Sequence, residues 1–218
     1  MNQKLSFFLG PGGFTATVFF AFKSLTGVEA FRFAAKPLQP GAPPALPSDW
    51  RYVQLCTSDE LVALVPGVRA QLAEQSGAGP ELLLRRGASL HALLCGETVV
   101  AQLNIESSPA FEVDDPKLAL RLAEGDGFLG YLHTWPEFRR RGAAQLLIAT
   151  TEHGLRERGL KRVVTHVRAT NVPSIAAFKH QGYRFNALVF SKTSGALVGG
   201  LGMRRLGLQA VPARQGGR

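Results

Sequence analysis

One segment of the chain combines residue types that could hold a phosphorylated ligand. From Leu132 to Ala144 it reads LHTWPEFRRRGAA, which predicts a strand end, an arginine-rich turn and the start of a helix. A helix N-terminus offers free backbone N–H groups and a partial positive charge, so a pyrophosphate can lie across it. Small residues at Gly142 and Ala144 let the ligand approach the backbone closely. The same pattern is also typical of a solvated turn whose small residues only tighten packing. The segment alone does not distinguish such a turn from a phosphate-binding site.

A second segment favours the ligand site. It begins at Asn171, where the next predicted strand ends, and runs through a short helix to Gly182 and Tyr183.

The first segment lacks the Lys-Ser/Thr pair of a P-loop, which excludes a nucleotide hydrolase of that class.

Together, the two segments resemble the GNAT superfamily of acyl-CoA-dependent N-acetyltransferases. The family's phosphate-binding pattern, Gln/Arg-x-x-Gly-x-Gly/Ala, is met by Arg139, Gly142 and Ala144. Its later pattern, Asn-x-x-Ala/Ser followed by an aromatic residue and Gly-Phe/Tyr, is met by Asn171, Ser174, Phe178, Gly182 and Tyr183. The resemblance covers roughly residues 50–203.

The resemblance implies an α+β (mixed α/β) fold with a twisted, mostly antiparallel central sheet, a splayed parallel pair of strands and flanking helices. It also implies transfer of an acetyl group from acetyl-CoA, a co-substrate, to a primary amine by direct attack in a ternary complex, with no metal. Acetyl-CoA would lie between the strands at 128–135 and 162–167. The implied coenzyme-binding residues are Leu132, His133, Thr134, Arg139, Arg140, Arg141, Gly142, Ala143, Ala144, Asn171, Ser174 and Phe178.

Catalysis requires a base, because an alkyl amine with a pKa near about 10 is mostly charged at neutral pH. Glu106 is the first choice for this base, and His133 is the second. Many family members place a tyrosine acid where this chain has Phe178, which cannot donate a proton. Tyr131 and Tyr183 are the other hydroxyls that could serve. Each candidate has a structural alternative: a strand-end carboxylate, a packed histidine or a core aromatic residue.

Hydrophobic periodicity and turn residues predict the elements that position these groups. Strands are predicted at 50–55, 90–95, 98–107, 128–135, 162–167, 183–191 and 196–203. Helices are predicted from Ser58 toward Gln75, at 80–86, from Ala143 to Gly159 and at 173–180. The acidic loop 108–126, which includes Glu112, Asp114 and Asp115, is predicted to be partly helical around 118–123 and to attract a cationic acceptor.

Composition excludes collagen-like, disulfide-framework and largely disordered chains, since 45% of the 218 residues are apolar and only Cys56 and Cys95 are cysteines. Two cysteines in no metal-binding pattern favour a reduced, cytoplasmic compartment. The net charge of +9 divides into +3 for residues 1–48, −7 for 49–137 and +13 for 138–218. The basic last third therefore favours a phosphorylated ligand, and the acidic middle favours an amine.

The chain is predicted to comprise a Phe-rich N-terminal arm (1–36), a Pro-rich linker (37–48), an acyltransferase-like domain (49–203) and a basic tail (204–218). Eight of the 14 phenylalanines, Phe7 and Phe8 among them, lie in the first 33 residues. The arm is expected to fold back as a strand or hairpin, to form a homodimer contact or to touch a membrane surface. Gly and Pro at 10–13 interrupt its apolar run, which argues against a membrane span.

Three functions fit these observations. The leading one is an N-acetyltransferase whose acceptor is a small-molecule or peptide amine, such as a peptide N-terminus, a lysine, a polyamine or an amino-sugar. The second is a non-catalytic acyl-CoA-binding protein, and the third is a nucleic-acid-binding protein that uses the basic C-terminal third. Nucleic acid is the least favoured partner, because no aromatic residues are interleaved with the arginines.

Overall fold

A computed structural model of the chain describes residues 13–113, 118–192 and 196–211. The helices are α1 (Gly13–Thr26), α2 (Ser58–Val62), α3 (Pro66–Glu74), α4 (Pro80–Arg85), α5 (Ala143–Glu157) and α6 (Val172–His180). The strands are β1 (Val28–Pro37), β2 (Trp50–Leu55), β3 (Ser89–Cys95), β4 (Thr98–Glu106), β5 (Ala110–Val113), β6 (Leu118–Arg121), β7 (Asp126–Thr134), β8 (Arg162–Arg168), β9 (Arg184–Lys192), β10 (Leu197–Leu201) and β11 (Gln209–Val211). These elements form two compact units.

The central unit comprises residues 37–109 and 124–163. Its strands β2, β3, β4 and β7 pair antiparallel in that order. The β3–β4 hairpin turns at Gly96, whose φ of 57° is the left-handed region that glycine adopts without strain. Helices α2, α3 and α4 pack on one face of this sheet through an apolar cluster that includes Leu61, Val68, Leu72, Leu83, Leu90 and Leu94.

Strands β7 and β8 begin side by side within the central unit. The backbone N–H of Lys161 donates to the carbonyl of Gly125 over 2.7 Å. One residue further along each strand, the guanidinium of Arg162 forms a two-pronged ion pair with the carboxylate of Asp126, whose side chain is only 5% exposed. The two strands therefore start in parallel, and the predicted mixed α/β fold with a mostly antiparallel sheet and a parallel pair is confirmed.

The terminal unit comprises residues 1–36, 110–123 and 164–218, within which the described residues form two sheets. In the first sheet the order is β10, β9, β1 and then β8, whose last five residues belong to this unit. The buried rings of Phe31 and Phe33 on β1 pack against His166, with ring centroids 5.8 and 5.5 Å apart. The second sheet has the antiparallel order β11, β6 and β5.

Two predictions about local structure are wrong. A single helix from Ser58 toward Gln75 does not form, because Pro66 lacks an N–H and begins a new helix, α3. Residues 118–123 are not helical: β6 pairs with β5 and β11, and pairing with the distant β11 is not visible in local periodicity. The N-terminal arm contains both a helix, α1, and a strand, β1. The residues that lie outside the described ranges include Phe7, Phe8, Asp114, Asp115 and residues 212–218. The domain boundaries at 36, 48 and 203 stay predictions.

Candidate active site

A β-bulge interrupts β7 at the point where the sequence places the coenzyme. Gln102 on β4 pairs with His133, and Asn104 pairs with Gly130, so the single residue between them faces two residues of β7, Tyr131 and Leu132. Tyr131 has a φ of 47°, which is rare for a residue with a side chain. Because a bulge re-aims backbone groups out of the ladder, the N–H and C=O groups here can serve a ligand.

The ring of Tyr131 lies directly against Gly77, in the segment between α3 and α4. A Cβ on Gly77 would overlap the ring, and Gly77 itself has a φ of 63°. Tyr131 also packs against the apolar cluster beneath α2–α4. The positive φ of Tyr131 is therefore held in place by contact with the helical layer.

A buried polar row runs along β4 beside the bulge. Gln102, Asn104 and Glu106 are only 3%, 2% and 5% exposed, and they alternate along the strand. The amide nitrogen of Gln102 donates to the carbonyl of Leu72 over 3.2 Å. A Cβ on Gly130 would lie 2.7 Å from the Oδ1 atom of Asn104, so that carbonyl oxygen lies immediately beside the bulge.

Two oxygens of this row have no hydrogen-bond partner among the described residues, namely Oε1 of Gln102 and Oδ1 of Asn104. Burial of such acceptors is costly unless a ligand or water satisfies them. Sequence reasoning selected Glu106 and missed the other two. The signal that could have found them is the alternation of polar residues along an otherwise apolar strand, which places all three on one face.

His133 lies half-buried just beyond the bulge, with its ring perpendicular to that of Trp135 at a centroid distance of 4.9 Å. Burial lowers the pKa of His133, and the positive charge of Arg139 lowers it further, while Glu74 acts in the opposite direction. The imidazole is therefore neutral at physiological pH and able to accept a proton.

The arginine-rich turn after β7 has a defined backbone shape. Arg139 donates from Nε to the carbonyl of Thr134 over 3.1 Å, which closes the turn. Arg140 and Gly142 both have left-handed φ angles, 63° and 78°, so the chain reverses sharply before α5. The guanidinium of Arg141 lies 5.8 Å from the centroid of the Phe138 ring.

The start of α5 fits a phosphorylated ligand. Gly142, the residue that precedes the helix, provides no side-chain hydrogen bond to the first turn, and that turn contains no acidic residue. The first-turn N–H groups therefore face a turn that carries three arginines. Buried Leu147, Ile148 and Leu155 anchor the helix, so its N-terminus is fixed in position.

The central unit thus brings together most of the predicted coenzyme-binding residues, namely Leu132, His133, Thr134, Arg139, Arg140, Arg141, Gly142, Ala143 and Ala144. Glu106 lies at the other end of the paired strands, because it faces Phe128 whereas Thr134 faces Ala101. Six residue steps along β7 separate those two positions, about 20 Å at the usual rise of a strand. Among the candidate bases, His133 is therefore nearer than Glu106 to the turn.

The remaining predicted residues belong to the terminal unit. The side chain of Asn171 accepts a hydrogen bond from the backbone N–H of Ser174 over 3.2 Å and so caps α6. Phe178 and Tyr183 are buried, with ring centroids 5.0 Å apart, and the ammonium of Lys36 lies 5.8 Å from the Tyr183 ring. The structure thus places Tyr183 in an aromatic core, and its catalytic role stays a prediction.

Residues 13–113, 118–192 and 196–211 contain no cluster of three or more His, Cys, Asp or Glu side chains that could hold a metal ion. In the same ranges, every helix is too short or too polar to cross a membrane.

Comparison with known proteins agrees with this geometry. Residues 117–190 match the FR47-like protein family. A GNAT-family protein from Novosphingobium aromaticivorans is 16% identical, with a TM-score of 0.52 over 75% of this chain and 62% of that one. A Drosophila protein is 17% identical, with a TM-score of 0.51 over 75% of this chain and 50% of that one.

The chain spans about three-fifths and one half of the lengths of these two structures. No curated protein matches the sequence. The FR47-like segment includes β7, the arginine-rich turn and α5, where the sequence predicted the coenzyme site. The structure therefore shares its fold with a GNAT-family protein, and the FR47-like match agrees with the predicted resemblance.

Proposed function

We propose that the protein is an N-acetyltransferase that transfers an acetyl group from acetyl-CoA to a primary amine. One observation carries the proposal: the N-terminus of α5 has no side-chain cap and follows a left-handed, arginine-rich turn beside the bulge of β7. A phosphate group bound there would meet N–H groups and guanidinium groups together. The bulge would present backbone groups to the acyl end of the same ligand.

We assign the coenzyme contacts residue by residue. The backbone groups of Leu132, His133 and Thr134 would pair with the extended pantetheine arm, as an added strand does. The N–H groups of Ala143 and Ala144 would bind the pyrophosphate, with the arginines of the turn beside them. The terminal-unit residues Asn171, Ser174 and Phe178 stay predictions of the resemblance alone. Bound acetyl-CoA would supply an activated acyl group on a thiol that leaves readily.

Residues of the chain would assist three parts of the reaction: deprotonation of the amine, departure of the thiol and stabilisation of the carbonyl oxygen. Neutral His133 would accept a proton from the ammonium, directly or through water, and Glu106 is the alternative base. The neutral amine nitrogen would then form a bond to the carbonyl carbon, and the carbon–sulfur bond would break. The thiolate would take up the proton that the nitrogen loses as the amide forms, with the Tyr131 hydroxyl as the relay that gives one proton to sulfur and receives the other. A backbone N–H of the Leu132–Thr134 stretch would stabilise the developing negative charge on the carbonyl oxygen.

The acceptor would lie along the polar row of β4. A primary amine carries N–H donors, and Oδ1 of Asn104 and Oε1 of Gln102 are buried acceptors without partners among the described residues. Their position beside the bulge would orient the nitrogen toward the acyl carbon, and orientation accounts for much of the rate in reactions of this kind. The acceptor is therefore proposed to be a small-molecule or peptide amine.

Calorimetric titration with acetyl-CoA tests the proposal. Gly142→Glu adds a negative charge where the pyrophosphate would bind and should abolish measurable heat. Gly159→Glu is the matched control, because Gly159 ends the same helix with a similar φ of 87° and nothing within 4 Å of its Cβ position. Gly159→Glu should bind as the wild type does. If wild-type protein shows no binding, or if both variants bind equally well, the coenzyme site is not here.

A second candidate function is acyl-CoA binding without catalysis. It is favoured by the buried aromatic pair of Phe178 and Tyr183, because the position that carries a tyrosine acid in many family members holds a packed phenylalanine. Thiol release from acetyl-CoA across a panel of primary amines separates the two functions. Coenzyme binding without thiol release for any amine would favour the non-catalytic protein.

We also propose that α1 is a homodimer contact. Its side chains Phe14, Val18 and Leu25 are 81%, 51% and 86% exposed, although all three are large and apolar. They share one face of the helix, since their spacing follows the helical period. A second copy of the same face would bury them.

A further inference from the structure

A cavity lies in the terminal unit and has a volume of about 450 Å³. It is lined by Arg32, Phe185, Asn186, Ala187, Leu188, Leu201, Gly202 and Arg205. All eight residues belong to the terminal unit, whereas the arginine-rich turn and the polar row belong to the central unit. The cavity therefore does not include the residues proposed to bind the pyrophosphate and the amine.

Two arginines, Arg32 and Arg205, line this cavity, and none of its eight lining residues is acidic. Arg32 is half-buried, and its Nε atom is buried with no hydrogen-bond partner among the described residues. Its guanidinium carbon lies 5.9 Å from the centroid of the Phe19 ring on α1. A buried N–H donor without an acceptor is costly, so an anion that reaches Arg32 would be stabilised.

The carboxylate that precedes Arg32 by three residues on β1 is already engaged. Glu29 on β1 forms ion pairs with Lys23, at 2.9 Å, and with Arg168, at 3.6 Å. Its side chain is only 12% exposed, so it is held where those two cations are. Glu29 is therefore paired with cations other than Arg32, and no acidic residue lines the cavity to pair with Arg32 or Arg205.

The backbone fixes the position of Arg205 relative to Arg32. On the sheet, Leu188 pairs with Arg32 on one side and with Leu201 on the other. Gly202 then turns the chain with a φ of 78°, and a Cβ there would overlap the carbonyl oxygen of Asn186. The N–H of Arg205 donates to the carbonyl of Gly202 over 3.0 Å, which places Arg205 in the turn that closes the cavity.

We propose that this cavity binds a small organic oxyanion. The carboxylate or phosphate of the ligand would pair with Arg32 and Arg205, whose planar groups suit either anion. Its apolar body would lie against Phe185, Leu188 and Leu201. The volume is within the range of small-molecule sites, and an apolar wall with a few polar groups is their usual composition.

Titration calorimetry with phenyl phosphate and with benzoate tests the proposal, and inorganic phosphate serves as the probe without an apolar body. Arg205→Gln should weaken binding by about tenfold or more, since it removes a charge-assisted hydrogen-bond donor. Arg204→Gln is the matched control, because it removes the same charge from the adjacent exposed residue that does not line the cavity. Arg204→Gln should bind as the wild type does.

Further arms locate the ligand and identify its anionic group. Arg32→Lys keeps the positive charge but removes the planar guanidinium and its paired N–H donors. This variant should therefore bind the probes more weakly than wild type does. If only benzoate or only phenyl phosphate binds, the result identifies the oxyanion that the site takes, and each probe that binds should do so more tightly than inorganic phosphate. The proposal is overturned if neither probe binds at millimolar concentration, if Arg204→Gln weakens binding as much as Arg205→Gln, or if saturating coenzyme A displaces the probe.

Discussion

His91 makes the stability of the protein sensitive to mild acid. The side chain is 1% exposed on β3, with the Tyr52 hydroxyl 2.5 Å from its Nδ1 atom and the Ser89 hydroxyl 2.8 Å from its Nε2 atom. Burial lowers the pKa of His91 to about 3, and the positive charge of Arg158 contributes in the same direction. The folded protein therefore keeps His91 neutral at a pH where the unfolded chain binds a proton.

The size of the effect follows from the difference between the two pKa values. The ordinary pKa of histidine is 6.5, so the contribution of neutral His91 is present in full above that pH and is lost as the pH falls toward about 3. Each pH unit below 6.5 corresponds to about 1.4 kcal/mol. Between pH 8 and pH 5 the loss from this one residue is about 2 kcal/mol.

Urea unfolding at pH values from 8 to 5 measures this loss. The variant His91→Gln lacks the titrating group, so its free energy of unfolding should fall by about 2 kcal/mol less than that of wild type over this range. The control His180→Gln changes an exposed histidine at the end of α6 and should follow wild type. Parallel curves for wild type and His91→Gln would show that the pH dependence comes from groups other than His91.

Three further outcomes are expected. Asp126→Ala should lower the free energy of unfolding by about 3 kcal/mol in urea, because a mostly buried ion pair loses one partner, whereas Glu157→Gln in an exposed pair should change it by less than about 0.5 kcal/mol. Gly77→Ala should lower the melting temperature and slow acetyl transfer, since the new Cβ overlaps the ring of Tyr131; a fully active, equally stable variant would contradict that contact. Val18→Asp on α1 should convert a dimer to a monomer in light scattering, and an unchanged mass would rule out this face as the contact.

Some elements formed by residues close together in the sequence were predicted correctly. The β3–β4 hairpin was predicted because Gly96 permits a tight turn between two apolar strands. Helix α5 was predicted because its apolar residues recur at helical spacing and Gly159 ends it. The strand, turn and helix start that carry the proposed coenzyme site are also contiguous in sequence, and the site itself stays a prediction of the family resemblance.

Features that depend on distant pairing were not predictable in this way. Strand β6 is only four residues long and is defined by β5 and β11, the latter nearly ninety positions later in the chain. The bulge at Tyr131 depends on the register between β4 and β7 and on the contact with Gly77. Asn104 became a candidate only when the structure placed it beside that bulge, because an asparagine on a strand has no distinctive spacing.

Hydrogen exchange of the backbone amides, with and without acetyl-CoA, would locate the bound coenzyme on the chain. Bound acetyl-CoA should slow exchange at residues 132–134 in the bulged part of β7 and at 143–145 in the first turn of α5. No comparable change is expected at β10 or in the turn that carries Arg205. No protection at 132–145, or protection confined to the cavity of Arg32 and Arg205, would contradict the assignment of the coenzyme site.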